Sequence, residues 1–294
     1  MKKAYIFAAI SIFFWSTAAV ISKLLLNNYD SFQVLWASAF FAAIALLAVN
    51  IFTGNIKNLK HYKLKDYLKI ALMGIPGTFL YYVFYYSGNA IMPASQAFII
   101  NYLWPIMSVV FAVIILKEKL TLRKILAFII SFMGVFIVMA GDLRQIDPNI
   151  ILGAVLCFLG AVAYGLFTAL NQKSAYDKRI SMMINYFVTF ALTTVINLAN
   201  HNLFLPNLTE TAGFVWNGML NMATASTLWI IALGLGKTAK ISNLAYITPF
   251  LSLTWIVLIL KEELNVFFII GLIIIVLGIF VQLKDKKQPA KAAK

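Results

Sequence analysis

Tyr82, Tyr85, Tyr86 and Asn89 follow one another at offsets of three, four and seven, which places three phenols and an amide on one face of a helix. A few residues on, Asn101, Trp104, Pro105 and Ser108 form a similar stripe, with Tyr102 adjacent. Trp15, Tyr164, Trp229 and Tyr246 stand in other apolar runs. The chemistry these types offer is recognition. Aromatic faces stack on a planar side chain or hold an ammonium group by cation–π attraction, worth about 0.5 to 2 kcal/mol each, while the hydroxyls and Asn101 can orient a carboxylate without a fixed charge. Tyr and Trp also gather at membrane interfaces and fill helix contacts. Tyr102, Trp104 and Tyr246, however, fall about half-way along their runs, which favours a cavity. The sequence holds no nucleophile with a histidine base, no phosphate loop and no metal-ligand cluster, so an enzyme, a cofactor and a metal are not expected.

The elements that must position these side chains are membrane helices. The chain is 62% hydrophobic and 12% charged, far from the roughly 25% charge of a soluble domain. Ten runs approach the roughly 20 apolar residues needed to cross the hydrocarbon core. They are Ala4 to Ser22, Phe32 to Phe52, Leu68 to Gly88, Ala94 to Leu116, Leu122 to Ala140, Ile150 to Asn171, Met182 to Asn200, Ala212 to Leu235, Ile241 to Leu260 and Val266 to Leu283. The first is read as a retained span, not a cleaved signal. With both termini in the cytoplasm, 21 of the 24 Lys and Arg fall on the cytoplasmic side, leaving Lys23, Arg144 and Lys261 outside. The net charge of +14 is thereby explained by topology without nucleic acid as a partner. Cys157, alone in an apolar run, excludes intrachain disulfides, and His61 and His201 fall in loops.

Part of the chain is written twice. Tyr102, Pro105, Ser108, Lys117, Glu118 and Gly134 return 144 positions later as Tyr246, Pro249, Ser252, Lys261, Glu262 and Gly278. Five spans per copy is an odd number, so the second copy enters the membrane from the opposite side. The expected fold is all-α integral membrane, ten transmembrane helices as two inverted five-helix repeats, with residues 1–141 as the first, 142–283 as the second and 284–294 as a basic cytoplasmic tail. Such repeats place a substrate site near the bilayer midplane. Pro105 and Pro249 lack the N–H that would bond the carbonyls of Asn101 and Ala245, so each frees a carbonyl that needs another partner and marks a hinge. No span holds a well-embedded charge; Glu118 and Glu262 lie in two-helix loops, where a structural role is expected.

At Trp15-Ser16-Thr17, Asn101-Tyr102-Leu103-Trp104-Pro105 and Ala245-Tyr246-Ile247-Thr248-Pro249, the sequence resembles the EamA branch of the drug/metabolite transporter superfamily. More narrowly, it is similar to the YddG-type bacterial exporters of aromatic amino acids. The resemblance implies export from the cytoplasm through a central hydrophobic cavity lined by aromatic residues. Tyr102 and Trp104 match the Tyr and Trp of the family motif, Tyr81, Tyr82 and Tyr85 fall where the third helix faces the cavity, and Trp229 matches a Trp of the eighth helix. Two positions depart: Tyr164 stands where relatives often have Trp, and Trp36 lies near a usual Arg.

The substrate-binding residues expected are therefore Tyr81, Tyr82, Tyr85, Asn101, Tyr102, Trp104, Tyr164, Trp229 and Tyr246. The function expected is a multi-pass transporter of the bacterial inner membrane exporting amino acids or related small metabolites, aromatic ones preferred, without proton coupling through an intramembrane carboxylate. A pump for hydrophobic or quaternary cations and a membrane scaffold that does not transport are the alternatives. A small-molecule substrate and the lipid bilayer are the partners implied; a monomer would suffice.

Overall fold

Long apolar runs with few breakers fold as helices because lipid leaves the backbone no other way to satisfy its N–H and C=O groups. The computed structural model describes residues 2–140, 147–235, 241 and 244–283, and among them no strand occurs. Seven helices are long and apolar enough to cross a membrane: α1 Lys2–Leu26, α2 Ser31–Phe52, α3 Leu64–Ile91, α4 Ala94–Ile115, α5 Leu122–Ala140, α6 Pro148–Lys173 and α7 Lys178–Ala199. After them come α8, built of Leu208–Val215, Trp216–Thr224 and Ala225–Leu235, and the shorter apolar α9, Ala245–Leu260, and α10, Val266–Leu283. The tail 284–294 and the positions of Arg144, Lys237 and Lys240 lie outside the described residues.

The helix ends follow from capping chemistry. Asp30 accepts from the N–H groups of Phe32 and Gln33 at the start of α2, with the Gln33 amide returning to the Asp30 backbone. Asp177 does the same work at α7, accepting from Arg179 and Ile180. Polar ends carry the helices past the apolar runs: α7 begins at Lys178 instead of Met182, and α3 at Leu64, four residues before Leu68, where Asp66 accepts from the Lys63 N–H. Lys23 changes place too: it falls inside the last turn of α1, not beyond the span, and its ammonium donates to main-chain carbonyls.

Inside the helices the ladder is broken where the sequence demands it. Pro76 opens a π-helical stretch, Ile75–Leu80, in α3, and α8 carries another over Trp216–Thr224. α4 stops at Asn101, turns through Tyr102 and Leu103, and resumes at Trp104 with Pro105 in its first turn. α9 opens with a 3-10 turn, Ala245–Ile247, before Thr248–Trp255 with Pro249 in its first turn. Each proline thus starts a helical segment, where its missing N–H is least costly.

Packing in lipid relies on close approach of small residues, since no water is displaced between helices. α2 runs beside α7, α5 beside α10, α3 and α4 pack on α6, and α8 and α9 pack on α1. Glycines make the closest crossings possible. A Cβ on Gly74 of α3 would sit 2.1 Å from the Asn185 side chain of α7, and one on Gly218 of α8 would sit 2.1 Å from the Ser38 carbonyl oxygen of α2.

The two ends of the α2–α7 pair are held by the same bonds. Asn50 Nδ2 donates to Arg179 O at 3.4 Å and Asn55 Nδ2 to Asp177 Oδ1 at 3.0 Å. At the other end Asn197 Nδ2 donates to Phe32 O at 3.3 Å and Asn202 Nδ2 to Asp30 Oδ2 at 2.9 Å. Adding 147 to either residue of one bond, or subtracting it, gives the residues of its counterpart. Lys117 and Lys261, paired by the 144-residue offset, share a left-handed backbone with φ of 54° and 58°.

Candidate substrate site

The π-helical stretch of α3 ends at Leu80, and the regular helix that follows presents Tyr81 to α6, Tyr82 to α7 and Tyr86 to α8, with Tyr85 beside Tyr81 and Tyr86. α6 brings Tyr164 to the same place, and the resumed part of α4 brings Trp104. A continuous aromatic chain results. The Trp104 ring stands edge-on to Tyr164, centroids 5.1 Å apart; Tyr164 lies 4.8 Å from Tyr81. Tyr81 is 4.7 Å from Tyr82 and stacked at 6.0 Å on Tyr85, their planes 8° apart. All these separations fall in the range favoured by the ring quadrupole, where a pair contributes about 0.5 to 1.5 kcal/mol beyond its burial.

Polar atoms thread through this chain. Asn101 Nδ2 donates to the Tyr81 hydroxyl at 3.1 Å. Tyr82 and Tyr186 hydroxyls meet at 3.5 Å. The Tyr86 hydroxyl accepts from Asn217 Nδ2 at 2.8 Å, whose other hydrogen reaches Ser38 Oγ at 2.9 Å. Among the buried polar atoms that have no hydrogen-bond partner in the described residues, two belong to this group: Asn101 Oδ1, an acceptor, and the Tyr85 hydroxyl. A buried polar atom left without a hydrogen bond costs about 1 to 3 kcal/mol, which a ligand carrying the complementary group would recover.

Of the nine residues expected from sequence, Tyr81, Tyr82, Tyr85, Asn101, Trp104 and Tyr164 come together. The other three do not join them. Tyr102 is 6% exposed, its ring near Phe98, and its hydroxyl donates to Ala245 O at 3.3 Å. That carbonyl has no α-helical donor because residue 249 is proline; it accepts the Thr248 N–H of the 3-10 turn, and the hydroxyl from the break in α4 is its second partner. Trp229 packs on Trp15 at 5.2 Å where α8 meets α1, and Tyr246 on Phe280 at 4.9 Å where α9 meets α10. Tyr186 and Asn217 were missed. Each is a polar residue in the interior of a long apolar helix, and that was the available signal.

Against known proteins, the EamA-like transporter family matches residues 2–140 and again residues 151–283. The chain belongs to this family. An uncharacterized transporter of Clostridium kluyveri is 26% identical over 98% of this chain and 95% of its own. An aromatic amino acid exporter, YddG, of Ancylobacter novellus is 23% identical over 70% of this chain and 72% of its own. An S-adenosylmethionine uptake transporter of Rickettsia prowazekii is 22% identical over 61% and 57%. A solved crystal structure, 19% identical, covers 95% of both chains with a TM-score of 0.70. It shares the fold. The EamA-like protein described here is a multi-pass membrane transporter of small metabolites, and its family and relatives are transporters, not enzymes.

Proposed function

We propose that this protein exports amino acids, aromatic ones preferentially, from the cytoplasm across the inner membrane of a bacterium. The observation that carries this reading is the aromatic chain Trp104–Tyr164–Tyr81–Tyr85 with two unpartnered polar atoms, Asn101 Oδ1 and the Tyr85 hydroxyl, beside it. An aromatic amino acid brings a ring to stack, an ammonium for Asn101 Oδ1 and a carboxylate for the Tyr85 hydroxyl. The relative named as an aromatic amino acid exporter adds weight.

Transport by rocking of two inverted five-helix halves, 1–141 and 142–283, with both termini cytoplasmic, completes the proposal. Its support is the recurrence of the α2–α7 bonds at a shift of 147 residues and the double match to one family. Pro105 and Pro249 serve as the hinges, each at the start of a resumed helix. With no carboxylate in the aromatic chain to carry a proton, the substrate moves down its own gradient.

In proteoliposomes, uptake of labelled Phe or Trp is expected to saturate, to be lost in Trp104→Ala, and to be unaffected by an imposed pH gradient. Acceleration by that gradient refutes uniport, and absence of uptake refutes the substrate class. A second reading comes from the relatives named S-adenosylmethionine uptake transporters. That molecule also joins a planar ring to an amino acid, and competition between it and Trp in the same assay separates the two.

A further inference from the structure

Glu262, in the turn between α9 and α10, reaches across to the first residues of α4. Its Oε1 accepts from Ala94 N at 2.7 Å and its Oε2 from Ser95 N at 3.0 Å. Both N–H groups belong to the unpaired first turn of a helix, where a carboxylate is favoured by the hydrogen bonds and by the positive end of the dipole. At the other side of the same turn, Lys23 of α1 donates to Asn89 O at 2.6 Å and Met92 O at 2.9 Å, carbonyls at the negative end of α3. The α3–α4 turn is therefore clamped by opposite charges from α1 and from the α9–α10 turn.

Glu118, the counterpart of Glu262 144 positions earlier, is differently engaged. It is 44% exposed and pairs with Lys124 at 2.9 Å. Both glutamates follow a lysine with left-handed backbone, so the local turn is the same. Only the contact differs. Near Glu118, an apolar cavity of about 290 Å³ lies between α4 and α5, lined by Ile106, Val110, Phe128 and Lys124 among others.

We infer that Glu262 is the latch of the outer gate: it ties the α9–α10 turn to the start of α4 while that face is closed, and releases Ala94 and Ser95 when the protein opens outward. Lys23 supports the latch by holding the end of α3. On this inference the structure is the state closed at that face. The inference rests on the transport reading above, since a gate matters only to a protein that alternates.

The test is a distance measurement between spin labels at Ala90→Cys and Glu263→Cys, both exposed beside the two turns, in a Cys157→Ala background in nanodiscs. Glu262→Gln leaves one acceptor oxygen and sets an amide against the second N–H. It is expected to raise the population with the longer distance about tenfold, the loss of roughly one charge-assisted bond. Glu118→Gln, which removes only an exposed pair, leaves the distribution unchanged. Should Glu262→Gln not accumulate, Glu262→Asp, whose shorter side chain weakens both bonds, is read in its place. Distances unchanged by these Glu262 substitutions, or shifted equally by Glu118→Gln, overturn the latch. Transport of labelled Trp by the unsubstituted protein is measured in parallel: a shifted distance without transport refutes the substrate and keeps the gate, whereas transport with unshifted distances refutes the gate alone.

Discussion

Removing one hydroxyl should reveal the bond between the two halves of the repeated motif. In Tyr102→Phe the ring keeps its packing near Phe98, and only the donor to Ala245 O is lost. Residue 249 is proline, so the α-helical donor to that carbonyl is missing and the Thr248 N–H of the 3-10 turn is its one donor from α9. Tyr102 is 6% exposed, which keeps water from replacing it easily. Because the carbonyl keeps the Thr248 N–H and the lost bond is long at 3.3 Å, the cost is that of one weak neutral hydrogen bond, about 0.5 to 1 kcal/mol. The cycle with Pro249→Ala isolates it. Alanine restores an N–H four residues beyond Ala245, so Tyr102→Phe should cost less in that background, with a coupling of about 0.5 kcal/mol. Reversible unfolding in mixed micelles measures all four proteins. Equal costs of Tyr102→Phe in the two backgrounds would refute the assignment of the hydroxyl to the Ala245 carbonyl. Tyr246→Phe is the control: its hydroxyl makes no hydrogen bond among the described residues, and the change should fall within about 0.5 kcal/mol.

Gly218→Ala should destabilise by about 1 to 3 kcal/mol in the same unfolding assay, because the new Cβ meets the Ser38 backbone carbonyl at 2.1 Å, an atom that moves only with α2. Gly54→Ala, with φ of 70° and open space around it, should cost only the backbone strain of about 1 to 2 kcal/mol and leave transport unchanged. Asp30→Ala and Asp177→Ala each remove a helix cap and an asparagine partner; losses of about 1 to 2 kcal/mol, similar at the two ends, are expected from thermal unfolding. Tyr81→Phe should free Asn101 Nδ2 and raise the KM for Trp about threefold to tenfold, the value of a single neutral hydrogen bond, with the membrane level of the protein unchanged.

The aromatic stripe of α3 and the two proline breaks were legible because helical periodicity and the missing proline N–H are local properties. Tyr164 and Trp104 were named from the chain too, yet their meeting across 5.1 Å depends on how α4 and α6 cross. Trp229 and Tyr246 show the limit. Both share the residue type and depth of the others, and packing turns them to Trp15 and Phe280. Tyr186 and Asn217 were overlooked because one polar residue in an apolar helix carries no sign of which neighbour it will face.

By itself the sequence determined that this is a helical membrane protein and that a motif recurs at a fixed offset, since hydrophobic length, charge placement and repetition need no knowledge of contacts. Tertiary structure alone decided which copy of each repeated residue is engaged. Tyr102 bonds the Ala245 carbonyl of α9 while Tyr246 rests on Phe280, and Glu262 caps α4 while Glu118 pairs with Lys124. Equal sequences cannot encode that difference, because it arises from the relative placement of the helices, where a shift of a few ångströms makes or breaks a hydrogen bond.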